Sequence, residues 1–364
     1  MKKITLHLTG RNYPIVVTDS FSLLPRYLKR INAGNYACIV TNSKIKRLFA
    51  RQVTSVLKKA AIDSNFFLIR DTEASKSFEV ARLLIEKILK IDKKKKIFIV
   101  ALGGGVVGDL AGFVACIYKR GVPFMQIPTT LLGQVDSSIG GKVAIDVKEA
   151  KNIIGAFYQP CLVYSNLATL KTLPLTEIKI GLAEIIKYAV ISDRNLFKTL
   201  ENKMELLLNR QKKILEQVIF ICARIKSLIV EKDEKEKKGL RTILNFGHTF
   251  GHAIEAACAY SKKVSHGQAI AIGMLMACDL SVSLGLCSNE TRGRLEDLIK
   301  RAGLPTHIRG LKLKDILLAM KYDKKFIHGK NRLVLPLSIG KVGVFEDIDE
   351  RKIKAACRVR IKNG

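Results

Sequence analysis

A chain of 364 residues, 48% of them hydrophobic, supplies two cores rather than one. No run approaches the roughly 18 uninterrupted apolar residues of a membrane span, and none of the eight cysteines falls in a CxxC pair, which argues against a membrane protein, a thiolate zinc site and a disulfide scaffold. The net charge of +31 admits nucleic acid as a partner, but Lys and Arg are spread along the chain and Trp is absent; a basic enzyme handling anionic small molecules shows the same balance.

In chain order, Met1-Lys2-Lys3-Ile4-Thr5-Leu6-His7 has charge but no apolar stretch behind it, so it reads as a first strand and not a signal peptide. The runs 37–41, 66–69 and 97–102 are short, rich in β-branched or aromatic residues and bounded by polar residues or Gly, which predicts strands. Amphipathic stretches at 45–60 and 78–89 separate them and predict helices. Strands alternating with helices imply a largely parallel sheet covered on both faces, a Rossmann-like α/β domain. Cysteines inside apolar runs, as in Ala256-Ala257-Cys258, read as buried thiols of a reducing cytoplasm.

Gly103-Gly104-Gly105-Val106-Val107-Gly108-Asp109 follows the strand at 97–102 and precedes a helical run at 110–118. This is GxGxxG in a strand–turn–helix setting, where residues lacking Cβ let backbone N–H groups approach a phosphate. The loop follows a late strand, and Phe124-Met125-Gln126 stands where an acid would bind the ribose, so an ordinary dinucleotide fingerprint is incomplete. A tight turn without ligand is the plainer alternative. Further on, Thr129-Thr130, Asp136-Ser137-Ser138-Ile139-Gly140-Gly141-Lys142 and Lys151-Asn152 gather hydroxyls, glycines and lysines, as expected of a loop lining an anion site.

The character changes at Leu173-Pro174. Helical patterns follow at 176–189, 211–232, 245–259, 267–284 and 289–301, and a strand pair closes the series at 332–338 and 342–345, turning through Ile339-Gly340-Lys341. The expected domains are therefore an α/β unit at 1–173 and a mostly α-helical unit at 174–364, with the active site in the cleft between them.

Three of six histidines lie between 248 and 266. His248 and His252 share a helix face at i and i+4, Asn245 is expected one turn earlier on that face, and His266 follows a loop and opens the next helix. Glu184 and Lys187 lie one turn apart in an apolar stretch, where a carboxylate must be paired or ligated. Imidazoles plus one carboxylate are the donor set of a catalytic divalent-metal site. Spacing alone nominates His248 and His252 with Glu184, in the manner of HExxH enzymes, but that motif's own Glu is absent, so the third ligand stays open.

Together these blocks resemble 3-dehydroquinate synthases of the sugar-phosphate cyclase superfamily: GGGVVGDLAGF at 103–113, PTTLLGQVDSSIGGK at 128–142, KNIIGAFYQ at 151–159, GLAEIIKY at 181–188 and GLRTILNFGHTFGHAIE at 239–255, with Asp323-Lys324-Lys325 and Leu333–Gly340 after them. The resemblance covers nearly the whole chain in order. It departs from the family pattern by one extra residue within Glu236-Lys237-Lys238-Gly239 and by an Asp71–Lys76 segment without the usual glycine.

What the resemblance implies is a shikimate-pathway lyase with bound NAD and one divalent ion, zinc or cobalt. Its ligands would be Glu184, His248 and His266, leaving His252 to the substrate. NAD would be held by Asp71, Glu73 and Lys76, by Gly105, Val106, Val107, Gly108 and Asp109, by Thr129, Thr130, Lys142 and Lys151, and by Thr169, Leu170, Lys171 and Thr172. The catalytic group would be Asp136, Lys142, Lys187, Asn245 and His252. The substrate, 3-deoxy-D-arabino-heptulosonate 7-phosphate, would also meet Arg120, Lys151, Asn152, Lys226, Arg241 and Lys324 or Lys325. Oxidation at C5, β-elimination of phosphate, re-reduction and aldol closure would give 3-dehydroquinate with the cofactor unchanged. A homodimer is implied, with no nucleic acid or membrane partner. The rivals are other sugar-phosphate cyclases, a glycerol-1-phosphate-type dehydrogenase and, remotely, a nucleic-acid-binding protein.

Overall fold

A computed structural model describes residues 1–148, 150–258, 264–321 and 331–362. They form two compact units, Met1–Leu173 with Leu215–Lys235, and Pro174–Ile214 with Glu236–Gly364.

The first unit begins with a hairpin, β1 (Lys2–Leu8) and β2 (Arg11–Thr18), closed by the Leu8–Arg11 pair. Then follow α1 (Leu24–Ile31), β3 (Tyr36–Asn42), α2 (Ser43–Lys59), β4 (Asp63–Ile69), α3 (Phe78–Ile91), β5 (Ile97–Gly103), α4 (Gly105–Ile117) and β6 (Phe124–Pro128). A second hairpin, β7 (Lys142–Val147) with β8 (Ala150–Phe157), precedes β9 (Leu162–Asn166). The seven-stranded sheet runs β1-β2-β9-β6-β5-β3-β4 and is parallel except for β1 against β2.

Its central strand β5 is apolar throughout because both faces are covered. Along β5, Ile97, Ile99 and Ala101 join the core that contains Leu84 and Ile88 of α3 and Leu110 and Val114 of α4. The alternate residues Phe98, Val100 and Leu102 join Leu24 and Leu28 of α1 and Phe49 and Val53 of α2. After β4 the chain crosses back over β3 to place β5 on its other side. The connections from β3 and β5 therefore leave in opposite directions, and this reversal opens a crevice at the carboxyl ends of the strands, where doubly wound sheets bind ligands.

The second unit starts with α5 (Leu175–Ser192) and α6 (Arg194–Leu208). The next helix, α7 (Lys212–Lys232), belongs mostly to the first unit: Ala223 and Val230 share a core with Leu6, Tyr13, Ile15 and Val163. The sequence expectation of one helical domain from residue 174 onward thus differs from the structure, because helical period says how a segment coils and not which core its apolar face meets. Then come α8 (His248–Ala257), α9 (His266–Ser283), α10 (Asn289–Arg301), β10 (Ile308–Arg309), α11 (Leu313–Lys321), the hairpin β11 (Arg332–Ser338) with β12 (Lys341–Glu346), α12 (Glu350–Val359) and β13 (Ile361–Lys362), which pairs with β10. Helix α9 is buried almost all round, as a central helix must be. Among the described residues no helix is long and apolar enough to cross a membrane.

Three local expectations change. The helix after the glycine loop begins at Gly105 rather than 110, so most of the loop is the first turn of α4. Asn245 does not lie on a helix with His248: it closes a 3-10 turn, Leu240–Asn245, and Gly247 at φ +76° breaks the path before α8 starts. Glycine adopts that left-handed conformation without a Cβ penalty. The polar stretch around 136–152 is likewise not one loop but a π-type turn, Gly133–Ser137, followed by β7 and β8. Residue 259, the expected end of the helix at 245–259, lies outside the described residues.

Candidate metal centre and cofactor loops

Glu184 lies mid-way along α5, while His248 and His266 are the first residues of α8 and α9. Close packing at small residues converges the three helices. A Cβ on Gly267 would lie 2.5 Å from Ile180 Cα, one turn before Glu184, and a Cβ on Gly273 would collide with the Gly247 carbonyl. Ser265 caps α9 reciprocally with Gln268, which fixes where His266 enters. Gly273→Ala is therefore expected to overpack the α8–α9 crossing and destabilise the protein by about 1–3 kcal/mol; a denaturant midpoint equal to that of the unsubstituted chain would count against this packing.

Ligand atoms of Glu184, His248 and His266 all lie within 4.8 Å of one another. Glu184 Oε1 is 3.5 Å from His248 Nε2 and 3.6 Å from His266 Nε2. Neither Glu184 oxygen, both buried, has a well-formed hydrogen bond, although Lys187 Nζ stands 2.5 Å from Oε2. A buried carboxylate whose Oε1 faces two imidazole Nε2 atoms is suited to a divalent ion. His252 is exposed and outside this group, although its ring centroid is 5.3 Å from that of His248. Geometry, unlike spacing, selects His266 over His252.

The other ring nitrogens are held too. His248 Nδ1 is 3.2 Å from the Phe246 carbonyl, and His266 Nδ1 is 3.3 Å from Glu255 Oε2. Burial raises the Glu184 carboxyl, but Lys187 and the two imidazoles outweigh it and hold it well below the usual carboxylate range. Burial also keeps His248 neutral, well below the ordinary imidazole value, against the pull of Glu184. At His266 burial is overridden by Glu184 and Glu255, and its value rises to about 10.

In the first unit several cofactor candidates follow the carboxyl ends of β5, β6 and β9. Gly104 is the N-cap of α4 with no capping side chain, and Gly108 N–H is already bonded to the Gly104 carbonyl at 3.0 Å. The amides of Gly105, Val106 and Val107 precede that first helical bond and carry the positive end of the helix dipole, as a phosphate cradle requires. Thr129 donates its N–H to the Gly103 carbonyl at 2.9 Å, and Thr130 faces Gly104, where a Cβ would meet its methyl at 3.0 Å. Thr169 and Leu170 are buried in a 3-10 turn, Leu167–Thr172, while Lys171 and Thr172 are exposed.

Lys76 is buried, with Nζ 2.9 Å from Asp109, 3.5 Å from Glu73 and 3.8 Å from Asp146, and it donates to Asn152. Burial depresses the ammonium, but the carboxylates override it and raise its value. Burial also raises Asp109, with Lys76 pulling against it. Asn152, expected at the substrate, thus shares a polar cluster with the cofactor candidates, and Asp71 is exposed. Lys226 reaches Asp136 Oδ1 at 3.0 Å and the Asp136 carbonyl at 2.8 Å, so the extra residue at 236–239 leaves their pairing intact.

Lys142 is exposed at the start of β7 and Lys151 is half-buried in β8. Arg241 is buried with Nε 3.3 Å from Glu236. Arg120 is exposed at φ +62°, directly after Lys119 at φ +50°. Lys324 and Lys325 lie outside the described residues. Sequence reasoning passed over Asp146, whose partners are distant in sequence, and Glu255, seven residues after His248 on the same helix face, a spacing that would have flagged it.

Family models described as 3-dehydroquinate synthase N-terminal and C-terminal match residues 66–180 and 181–326. A 3-dehydroquinate synthase of Desulforamulus reducens is 45% identical over 357 residues, covering 98% of this chain and 99% of the relative. One from a Thermoanaerobacter species is 45% identical over 355 residues, covering 97% and 99%. Among solved structures, 2-epi-5-epi-valiolone synthase from Streptomyces hygroscopicus subsp. jinggangensis, with NAD+ and Zn2+ bound, superposes with a TM-score of 0.87 at 26% identity, covering 97% of this chain and 98% of that one. A 2-deoxy-scyllo-inosose synthase complexed with carbaglucose-6-phosphate, NAD+ and Co2+ shares the fold at a TM-score of 0.88 and 23% identity, covering 99% and 100%. The chain belongs to the 3-dehydroquinate synthase family.

Proposed function

We propose that the chain, as a member of this family, converts 3-deoxy-D-arabino-heptulosonate 7-phosphate to 3-dehydroquinate and inorganic phosphate. The match to 3-dehydroquinate synthases over almost the whole chain carries this conclusion. The triad, with Glu184 buried and both of its oxygens lacking hydrogen bonds, supports a resident divalent ion, zinc or cobalt, and the open N-terminus of α4 supports NAD. When bound, NAD supplies hydride acceptance and return, and the ion supplies polarisation of substrate oxygens.

Glu184, His248 and His266 hold the ion, with Lys187 balancing the Glu184 charge. The Gly105–Asp109 segment holds the cofactor pyrophosphate, and Asp71, Glu73, Lys76, Thr129, Thr130, Lys142, Lys151 and residues 169–172 surround the rest of the cofactor. Arg120, Lys151, Asn152, Lys226, Arg241 and Lys324 or Lys325 bind the phosphate and carboxylate of the substrate, for which planar guanidinium and compact ammonium groups are suited. Asp136 and Asn245 orient hydroxyls. His252, through its imidazole, moves protons to and from them. We place the protein in the cytoplasm as a homodimer.

The test supplies the heptulosonate phosphate with catalytic NAD+ and a divalent ion. Phosphate release far beyond the amount of NAD+, with no accumulated NADH and with loss of turnover on chelation, is the expected result. NADH accumulating in proportion to substrate consumed would identify a dehydrogenase of the same fold instead.

A further inference from the structure

We infer that Glu255 is a positioning residue of the metal centre: it holds the His266 ring so that Nε2, and not Nδ1, is the ligand atom. This inference rests on the triad being a metal site. The geometry is specific. His266 presents Nε2 to Glu184 at 3.6 Å and Nδ1 to Glu255 at 3.3 Å, so the two carboxylates engage opposite nitrogens of one ring. His248 has the same arrangement with a neutral partner, Nε2 facing Glu184 and Nδ1 facing the Phe246 carbonyl. Both imidazoles are thus fixed from behind, one by a dipole and one by a full charge.

The fold makes Glu255 the natural support. His248 and Glu255 are seven residues apart on α8, two turns along one face. The helix that contributes one ligand therefore also steadies the ligand contributed by α9. His266 needs this more than His248 does, because its side chain is 32% exposed against 14% and has less packing around it. A carboxylate behind a ligating imidazole fixes the tautomer and raises the ring's basicity, and removing such a partner typically costs about ten- to a hundredfold in metal affinity.

Glu255→Ala removes both orientation and charge, whereas Glu255→Gln keeps an acceptor and removes only the charge. Purified apo forms of the unsubstituted chain and both variants would be titrated with Zn2+ against a chelating competitor, and the visible bands of their Co2+-loaded forms recorded. We expect the Kd to weaken about ten- to a hundredfold in Glu255→Ala and by less in Glu255→Gln, with altered Co2+ bands in the alanine variant and an unchanged Tm of the apo glutamine variant. Unchanged Kd and bands in both variants, beside normal binding by the unsubstituted chain, would overturn the role of Glu255 alone. A Kd that weakens only in parallel with a lower apo Tm in both variants would also overturn it, as a purely structural effect. No binding by the unsubstituted chain would instead sink the metal centre, and this inference with it.

Discussion

Replacing His266 by alanine is expected to remove the divalent ion and lower turnover at least about a thousandfold. The reasoning follows from the donor count: three protein ligands is the usual complement of a catalytic site, and two leave the ion weakly held. An ion that polarises substrate oxygens is worth several kcal/mol, at roughly 1.4 kcal/mol per factor of ten in rate. Helix α9 should still fold, since Ser265 and Gln268 cap it without help from the imidazole. His252→Ala is the informative companion. Its ring lies outside the ligand group, so that variant should retain its ion while losing rate. Metal content measured on both purified proteins decides the matter, and a His266→Ala protein with one tightly bound ion per chain would refute the ligand assignment.

The largest effect expected on stability lies far along the chain from that chemistry. Arg360 is buried, with Nε 2.5 Å from Asp279 Oδ2, one terminal nitrogen 2.9 Å from Oδ1 and the other 3.0 Å from Glu296 Oε2. This fork ties the C-terminal segment to α9 and α10. Its backbone carbonyl also accepts from Ile308 N–H at 2.8 Å, next to the β10–β13 pair. Arg360→Ala leaves Asp279 with only Arg292 at 3.5 Å and Glu296 with only the exposed Lys300 at 3.0 Å, and is expected to cost about 3 kcal/mol, or a Tm lower by on the order of 10 °C. A Tm within about 2 °C of the unsubstituted chain would reject it.

The same network gives a pH signature. Burial raises Glu296, but Lys300 and Arg360 outweigh it and lower its value in the folded state. A carboxyl lowered on folding stabilises the protein above its unfolded value, about 4.3, and that contribution disappears as pH falls through the lower folded value. The stability gap between the unsubstituted chain and Arg360→Ala should therefore narrow below about pH 4.

Much of this protein was legible without coordinates. The strands β3 and β5 appear in sequence as apolar runs at 37–40 and 97–102 because both faces of a parallel sheet are covered, a requirement written into consecutive residues. The glycine loop was legible for the same local reason, since strand, turn and helix are contiguous. Clustering of His248, His252 and His266 and the isolated acid of Glu184 also stood out, because such groups are conspicuous in apolar surroundings.

The remainder depended on contacts between distant segments. Periodicity marked 211–232 as a helix, yet its apolar residues meet Leu6, Tyr13 and Val163, and no local pattern records that choice. Lys76, Asp109, Asp146 and Asn152 become one polar cluster only when the β7–β8 hairpin folds beside α4. The third ligand is the clearest case. His248 and His252 share a face of α8, and spacing favours them. The left-handed Gly247 starts the helix at His248, and the close seats of Gly267 on Ile180 and of Gly273 on Gly247 bring the start of α9 to Glu184. Which imidazole faces the carboxylate is thus settled by how closely three helices pack. Sequence supplied the donors, and the crossing of α5, α8 and α9 selected among them.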